Sequence, residues 1–250
     1  MKKNLLVLAF LVGLLTCCKS EDAPIKPVKP TDPGSINKEY MSRAETTFAN
    51  IFKYYWSDKV RMMFGSYPNT LGTPQEPSSP DYDSHAYLWG LGSVVSAFNA
   101  IVQNTDNVDF RMTYESRLKE TLLKYYNTTK EPMCFGCFVN PHDQRLYDDA
   151  IWVGIDLADL YSKTKDSWYL DYAKSVWNFV LSGKDDELGG GVYWDENAKD
   201  SKNTCSNAPA VVLALKLYQI TNDAAYLENG KDIYKWTKSK LQDPSDYLYW

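Results

Sequence analysis

Histidine is nearly missing from this 250-residue sequence, in which His85 and His142 are the only two. No Ser or Cys is arranged around either as a nucleophile–base pair, so triad chemistry finds no support. Basic charge is short as well: 27 Lys and Arg stand against 32 Asp and Glu, a net charge of −5. A nucleic-acid partner needs a basic face to neutralise phosphates, and this balance argues against one. No glycine loop followed by Lys and Ser/Thr is present to cradle a phosphate, since Gly189-Gly190-Gly191 runs on into Val192-Tyr193-Trp194. Of five cysteines, Cys134 and Cys137 have metal-ligand spacing, but neither a second pair nor a nearby His completes a zinc set. A short-loop disulfide or two free thiols is expected there, and no metal or cofactor is implied. Period-two strand patterns are lacking too. The longest apolar run, Leu5 to Leu15, is roughly half of what a membrane-spanning helix needs.

That short run follows Met1-Lys2-Lys3 and reads as the core of an export signal. Leu15-Thr16-Cys17-Cys18 resembles a bacterial lipoprotein cleavage box. Cys18 is the expected lipidated residue, with Cys17 the runner-up, and residues 1–17 form the signal peptide. Lys19-Ser20-Glu21-Asp22 resembles the surface-export signal of lipoproteins in one group of Gram-negative bacteria. The expected location is the outer membrane, displayed at the cell surface and held through the lipid alone. Residues 18–34 carry Pro24, Pro27, Pro30 and Pro33 and read as a semi-extended tether, leaving 35–250 as the folded domain.

What the sequence does have is aromatic residues, at 14%, with 8 Trp and 19 Tyr. Such rings fill cores, but they also stack on the flat apolar faces of sugar rings. Helical periodicity covers most of the body of the chain. Ile36–Trp56, Ser84–Gln103 and Val108–Tyr126 place apolar residues at three- and four-residue steps, and helices near 148–163, 167–182, 206–220 and 223–241 follow. Long loops at 64–83, 131–146 and 184–204 separate them, and such connections are uncommon unless they do something.

The last four helices contain a repeat. Leu157-Ala158-Asp159-Leu160-Tyr161 with Thr164 and Asp166 matches Ala214-Leu215-Lys216-Leu217-Tyr218 with Thr221 and Asp223. Tyr169-Leu170 matches Tyr226-Leu227 at the same offset of 57 residues. Each unit is a helical hairpin that cannot bury its apolar face alone, so the units must stack. Short turns fall at one end of each hairpin and long loops at the other. The long-loop face therefore gathers the starts of the helices at 148 and 206.

On that face lies Tyr147-Asp148-Asp149-Ala150-Ile151-Trp152. Asp opening a helix is first of all a cap, favoured by the helix dipole. Adjacent carboxylates that diverge from neighbouring stems also suit general acid and nucleophile chemistry on one small group. Taken together, Tyr147–Trp152, Gly189–Trp194 and Lys202-Asn203-Thr204-Cys205-Ser206-Asn207-Ala208-Pro209-Ala210 resemble glycoside hydrolase family 76, a family of endo-acting α-1,6-mannanases, over roughly Ile36 to Trp250.

The resemblance implies an all-α (α/α)6 toroid and retaining hydrolysis of α-1,6-mannan, by a monomer without cofactor. Asp148 takes the place of the family's nucleophile and Asp149 that of its acid/base. The helix dipole favours the Asp149 anion, so repulsion from Asp148 and burial beneath bound sugar must hold its proton on. Tyr147, Trp152, Tyr193 and Trp194 are candidate stacking partners for mannose, and Asn203 and Asn207 candidate hydroxyl partners, each with packing or helix capping as the plainer role. His85, near a helix start, is a further candidate for the cleft. About seven of the roughly twelve helices of a closed ring are present, so the sequence resembles a C-terminally shortened member. A non-catalytic glycan-binding lipoprotein and a cell-wall transglycosylase are the competing readings; a binder has no need of paired carboxylates.

Overall fold

The computed structural model describes residues 33–68, 85–139 and 144–250. The leader, Cys17, Cys18, residues 19–32 of the tether, most of the 64–83 loop and His142 lie outside these residues. The chain divides into two compact units, Met1–Tyr40 and Met41–Trp250. The described part of the first is the opening of helix α1 (Pro33–Tyr55).

After α1 come α2 (Leu88–Asn104), α3 (Val108–Tyr125), α4 (Tyr147–Thr164), α5 (Ser167–Ser182), α6 (Thr204–Thr221) and α7 (Ala224–Leu241). The strands among the described residues are two antiparallel pairs of two-residue segments, β1 (Trp56–Ser57) with β2 (Met62–Met63) and β3 (Tyr126–Asn127) with β4 (Cys134–Phe135). The fold is all-α. Helix α2 begins later than the predicted Ser84. His85 instead bridges to Phe64, the Ala86 amide donates to the Met63 carbonyl and the Leu88 amide to the Cys137 carbonyl, which keeps this stretch extended.

The repeat is visible at atomic detail. Lys165 and Asn222 close α4 and α6 in the left-handed conformation, with φ of 62° and 57°. Asp166 and Asp223 then cap α5 and α7, their side chains accepting from the amides of Trp168 and Ala225. Thr164 and Thr221 accept from the amides of those two Asp residues. The same turn chemistry is thus written twice, 57 residues apart in the sequence.

Helix α4 is the centre of the unit and packs against α2, α5 and α6. Polar seams set the register of this inner row. Asn99 on α2 donates to Asp156 on α4 at 2.8 Å, and Ser96 donates to the same carboxylate. Asp159 on α4 pairs with Lys216 on α6. Helices α5 and α7 lie behind their partners, so the hairpins stack as in a helical toroid.

Gly154 lets α4 approach its neighbours. A Cβ there would lie 2.9 Å from Val176 Cγ1 and 3.1 Å from Leu213 Cδ2. Overpacking costs roughly 1–3 kcal/mol, against about 1 kcal/mol gained in helix propensity. Gly154→Ala is therefore expected to lower the urea midpoint with an unchanged slope. A midpoint at or above the parent's would show that the seam can relax.

Candidate active site

The Asp pair opens α4. Leu146 is the N-cap position but supplies no side-chain hydrogen bond, and Asp148 and Asp149 lie in the first turn. The entry of the chain is fixed by Arg145, which is fully buried. Its guanidinium pairs with Glu196, donates to the carbonyls of Lys130 and Pro132, and lies over the Phe179 ring. Burial of a charge on this scale is tolerable only with such complete pairing.

The second motif comes alongside. The Tyr147 amide donates to the Trp194 carbonyl at 2.9 Å and the Glu196 amide to the Arg145 carbonyl at 3.2 Å. This places the Trp194 indole against the pair, with Nε1 donating to Asp148 Oδ2 at 3.2 Å. The loop is held from below by the third motif. Buried Lys202 donates to the carbonyls of Glu187 and Gly190, both at 2.8 Å, and pairs with Asp185 at 2.6 Å. Asn207, wholly buried, clamps Val192 from both sides, accepting from its amide at 2.7 Å and donating to its carbonyl at 2.8 Å. Three separated stretches of sequence thus make one object.

Glycine is required in that loop at Gly191. Its φ is +80°, and a Cβ would lie 2.5 Å from the Trp236 ring. Gly191→Ala is expected to cost about 1–3 kcal/mol through backbone strain and overpacking, and to displace Trp194. Thermal melts and tryptophan emission check both parts, and an unshifted melt would refute the first.

The environments of the two carboxylates differ. Asp148 is half-buried, Asp149 buried. Asp148 Oδ1 is shielded from solvent and has no hydrogen-bond partner. Burial, and next the neighbouring Asp148 charge, push the Asp149 carboxyl up to about 6, partly offset by the Cys137 thiol beside it. The protein itself thus raises Asp149, before any sugar covers it. Cys137 and Cys205 were not legible as site residues. Burial pushes the Cys137 thiol up to about 12 and raises Cys205 also, so both are protonated at neutral pH, beside Asp149 and Asp148 respectively. Cys134, Cys137 and Cys205 are all free thiols.

The other sequence candidates separate by position. Trp152 is 42% exposed and, with Asp149, Trp89 and Ser96, lines a cavity of about 260 Å³. Trp194 is 36% exposed. These two rings flank the pair on open surface. Tyr147, by contrast, is buried and stacked on Phe179, with its ring filling the space over Gly183, so its place is in the core. Tyr193 is buried under Lys202. Asn207 spends its amide on Val192 and on the Asn203 carbonyl. Asn203 stands at the N-cap of α6 without a side-chain cap bond, and its carbonyl accepts from the amides of Ser206 and Asn207. His85 is buried, away from the pair's own cavity, on the wall of a larger neighbouring one. Burial, and then the Lys124 charge, lower its pKa, so the ring is neutral.

The arrangement offers a carboxylate held by an indole N–H beside a carboxyl that keeps its proton up to about pH 6, both at an open face with exposed aromatic rings. A family model, Glycosyl hydrolase family 76, matches residues 39–250. A family 76 glycoside hydrolase from a bovine Bacteroides thetaiotaomicron strain is 31% identical, with a TM-score of 0.74 over 84% of this chain and 44% of that one. A family 76 mannosidase of Bacteroides thetaiotaomicron VPI-5482 is 26% identical, with a TM-score of 0.73 over 85% and 56%. An inactive variant of an α-1,6-mannanase of Salegentibacter sp. HEL1_6, with two consecutive Asp replaced by Asn and in complex with α-1,6-mannotriose, is 24% identical, with a TM-score of 0.64 over 86% and 54%. The curated proteins compared contain no match. The chain spans about half the length of the solved structures that it resembles. On the family match and on the shared helical toroid, the chain belongs to glycosyl hydrolase family 76.

Proposed function

We propose that this protein is a retaining, endo-acting glycoside hydrolase that cleaves α-1,6-mannosidic bonds in mannan backbones. Asp148 attacks the anomeric carbon while Asp149 gives its proton to the departing O6. Asp149 then takes a proton from a water whose oxygen bonds to the anomeric carbon as the bond from that carbon to Asp148 breaks. The observation that carries this reading is the split between neighbouring carboxylates. Asp149 is buried and raised to about 6, whereas Asp148 is half-buried and accepts from the Trp194 indole. One side chain is thereby prepared to donate a proton and the other to attack, which is the division of labour that glycoside hydrolysis needs. The Salegentibacter α-1,6-mannanase is inactive when two consecutive Asp are replaced, which supports a catalytic role for an adjacent Asp pair.

The test is incubation with unbranched α-1,6-mannan. Internal cleavage gives a ladder of oligosaccharides whose new reducing ends carry the α configuration at early times. Binding without shortened products would establish the glycan-binding reading, and transfer to sugar acceptors in preference to water the transglycosylase. The sequence also supports a lipid anchor at Cys18 and display at the outer surface of the cell. Labelled palmitate incorporated by the parent but not by Cys18→Ala would bear this out; equal labelling would refute it.

A further inference from the structure

Cys137 is 4% exposed and lies just past β4, where three backbone hydrogen bonds fix the chain. The Gly136 amide donates to the Tyr125 carbonyl at 2.8 Å, the Cys137 amide to the Gln144 carbonyl and the Leu88 amide to the Cys137 carbonyl, both at 2.9 Å. The residue is thereby clamped between the start of α2 and the segment that enters α4. Its sulfur lies between two groups of that entry. The Leu146 amide donates to it, and the thiol donates to the Asp149 carboxyl. Leu146 has this amide to spare. It bridges to Asp195, but the backbone bonds of that bridge run from the Tyr147 amide to the Trp194 carbonyl and from the Glu196 amide to the Arg145 carbonyl.

Leu146 is the N-cap of α4, and Asp149 stands at the third helical position. An acidic side chain there can close a capping box by accepting directly from the N-cap amide, which fixes it as an anion. Here a thiol is inserted between the two. An S–H group is a weak donor, so Asp149 receives only a share of the stabilisation that an amide would give. The thiol keeps its own proton, because burial, and next the Asp149 charge, push it up to about 12. Little else favours the Asp149 anion. Burial opposes it, and so does Asp148 on the same helix. Helix α2 presents Trp89, Ser93 and Ser96 to the shared cavity, and none of these ionises. Helix α6 brings Cys205 to Asp148, and Arg145 is paired with Glu196. Among the described residues, Cys137 is the side chain that pulls Asp149 toward ionisation.

We propose that Cys137 is a positioning residue for the acid/base chemistry: its thiol, clamped between the Leu146 amide and the Asp149 carboxyl, aims that carboxyl and steadies the anion it becomes once its proton has gone to the departing oxygen. This rests on the glycoside hydrolase reading. At that stage Asp148 is esterified by the mannosyl group and its charge is gone. Burial then opposes the Asp149 anion, and a charge-assisted S–H···O bond offsets it. A direct amide donor would strip the proton needed for the first half of the reaction. With no donor, the carboxyl would be slow to ionise for the second.

The experiment follows the Asp149 titration directly, by carbon-13 NMR of the side-chain carboxyls in the reduced parent, Cys137→Ser and Cys137→Ala, with Asp149→Asn to assign the signal. Serine is close in shape and the stronger donor; alanine donates nothing. The Asp149 midpoint is expected to move down by about 0.5–1 pH unit in Cys137→Ser and up by roughly as much in Cys137→Ala. The alkaline limb of kcat/KM on unbranched α-1,6-mannan should move with it. Loss of packing alone would lower both melts without shifting the midpoints in opposite directions. The variants bracket the parent, so if one fails to fold the other still decides. Midpoints that stay together or move the same way overturn the role, as does a disulfide at Cys137 in chain purified without reductant. Opposite shifts in a chain that never shortens mannan would refute the hydrolase and leave the thiol's hold on Asp149; mannan cleaved with one limb common to all three chains would do the reverse.

Discussion

Asp148→Asn is expected to lower the turnover of unbranched α-1,6-mannan by a factor on the order of 10⁵–10⁶, the scale of nucleophile removal in enzymes that pass through a covalent intermediate. The substitution is close to isosteric. An Asn side-chain oxygen still accepts from the Trp194 indole, which in the parent donates to Oδ2 at 3.2 Å. Helix α4 is held by Arg145, Glu196 and the buried face of the helix, none of which the change touches. The melt should therefore stay close to the parent's while catalysis disappears, and oligosaccharide binding should persist. The measurement is reducing-end release over long incubations at high enzyme concentration, with thermal melts alongside. Activity retained above about one hundredth of the parent's would rule out Asp148 as the nucleophile, because no neighbouring group could replace a covalent step so nearly.

How this pair came to be legible depends on the kind of signal each residue leaves in a sequence. Helix periodicity and the 57-residue repeat survive in the one-dimensional record because a hairpin that must stack needs its apolar stripe and its turn residues at fixed offsets. Thr164, Asp166, Thr221 and Asp223 do in the structure what their spacing implies. The start of α2 was misplaced by four residues because a long-range bridge from His85 to Phe64 overrides the local helical pattern. Tyr147 carried no mark separating a stacking platform from a core ring. Only the fold reveals Phe179 beneath it.

The division of labour among the three motifs was legible only in part. Gly189–Trp194 and Lys202–Ala210 stood out as sequence features, but the sequence could not say that Lys202 and Asn207 serve the glycine loop and leave Trp194 to touch the pair. The two thiols beside the carboxylates were missed for a related reason. Cys137 belongs to a short-spaced pair and Cys205 stands alone, and neither pattern encodes proximity to residues 148 and 149. Burial of Asp149 is likewise a property of packing: a local reading assigns the dipole-favoured anion, and the folded protein shifts the balance the other way, holding the proton up to about pH 6.

That reversal gives the second large expectation, in which one substitution moves activity and stability in opposite directions. The Asp149 carboxyl is raised from 3.8 to about 6, by burial first and by Asp148 second. Between those values the folded state holds a proton that the unfolded chain releases, so stability falls as pH rises through this window, by about 1.4 kcal/mol per unit. The penalty is absent below pH 3.8 and complete above pH 6, where it amounts to about 3 kcal/mol. Asp149→Asn removes the titration. The variant is expected to match the parent's stability near pH 4 and to exceed it by up to about 3 kcal/mol at pH 7, read as a difference in urea midpoints at the two pH values. Its activity moves the other way. Loss of the general acid costs roughly 10²–10⁴-fold on mannan. The parent's kcat/KM, which reports the free enzyme, should fall tenfold per pH unit above about 6, and that limb should vanish in the variant. A mannoside with an activated phenol leaving group needs no proton at departure and should recover much of its first step in Asp149→Asn. An equal stability difference at pH 4 and pH 7 would detach Asp149 from the titration, and a parent profile flat from pH 5 to 8 would take the acid role from it. If both hold as expected, the protein keeps at its active site a carboxyl that the fold would be more stable without, and the chemistry is the reason for its burial there.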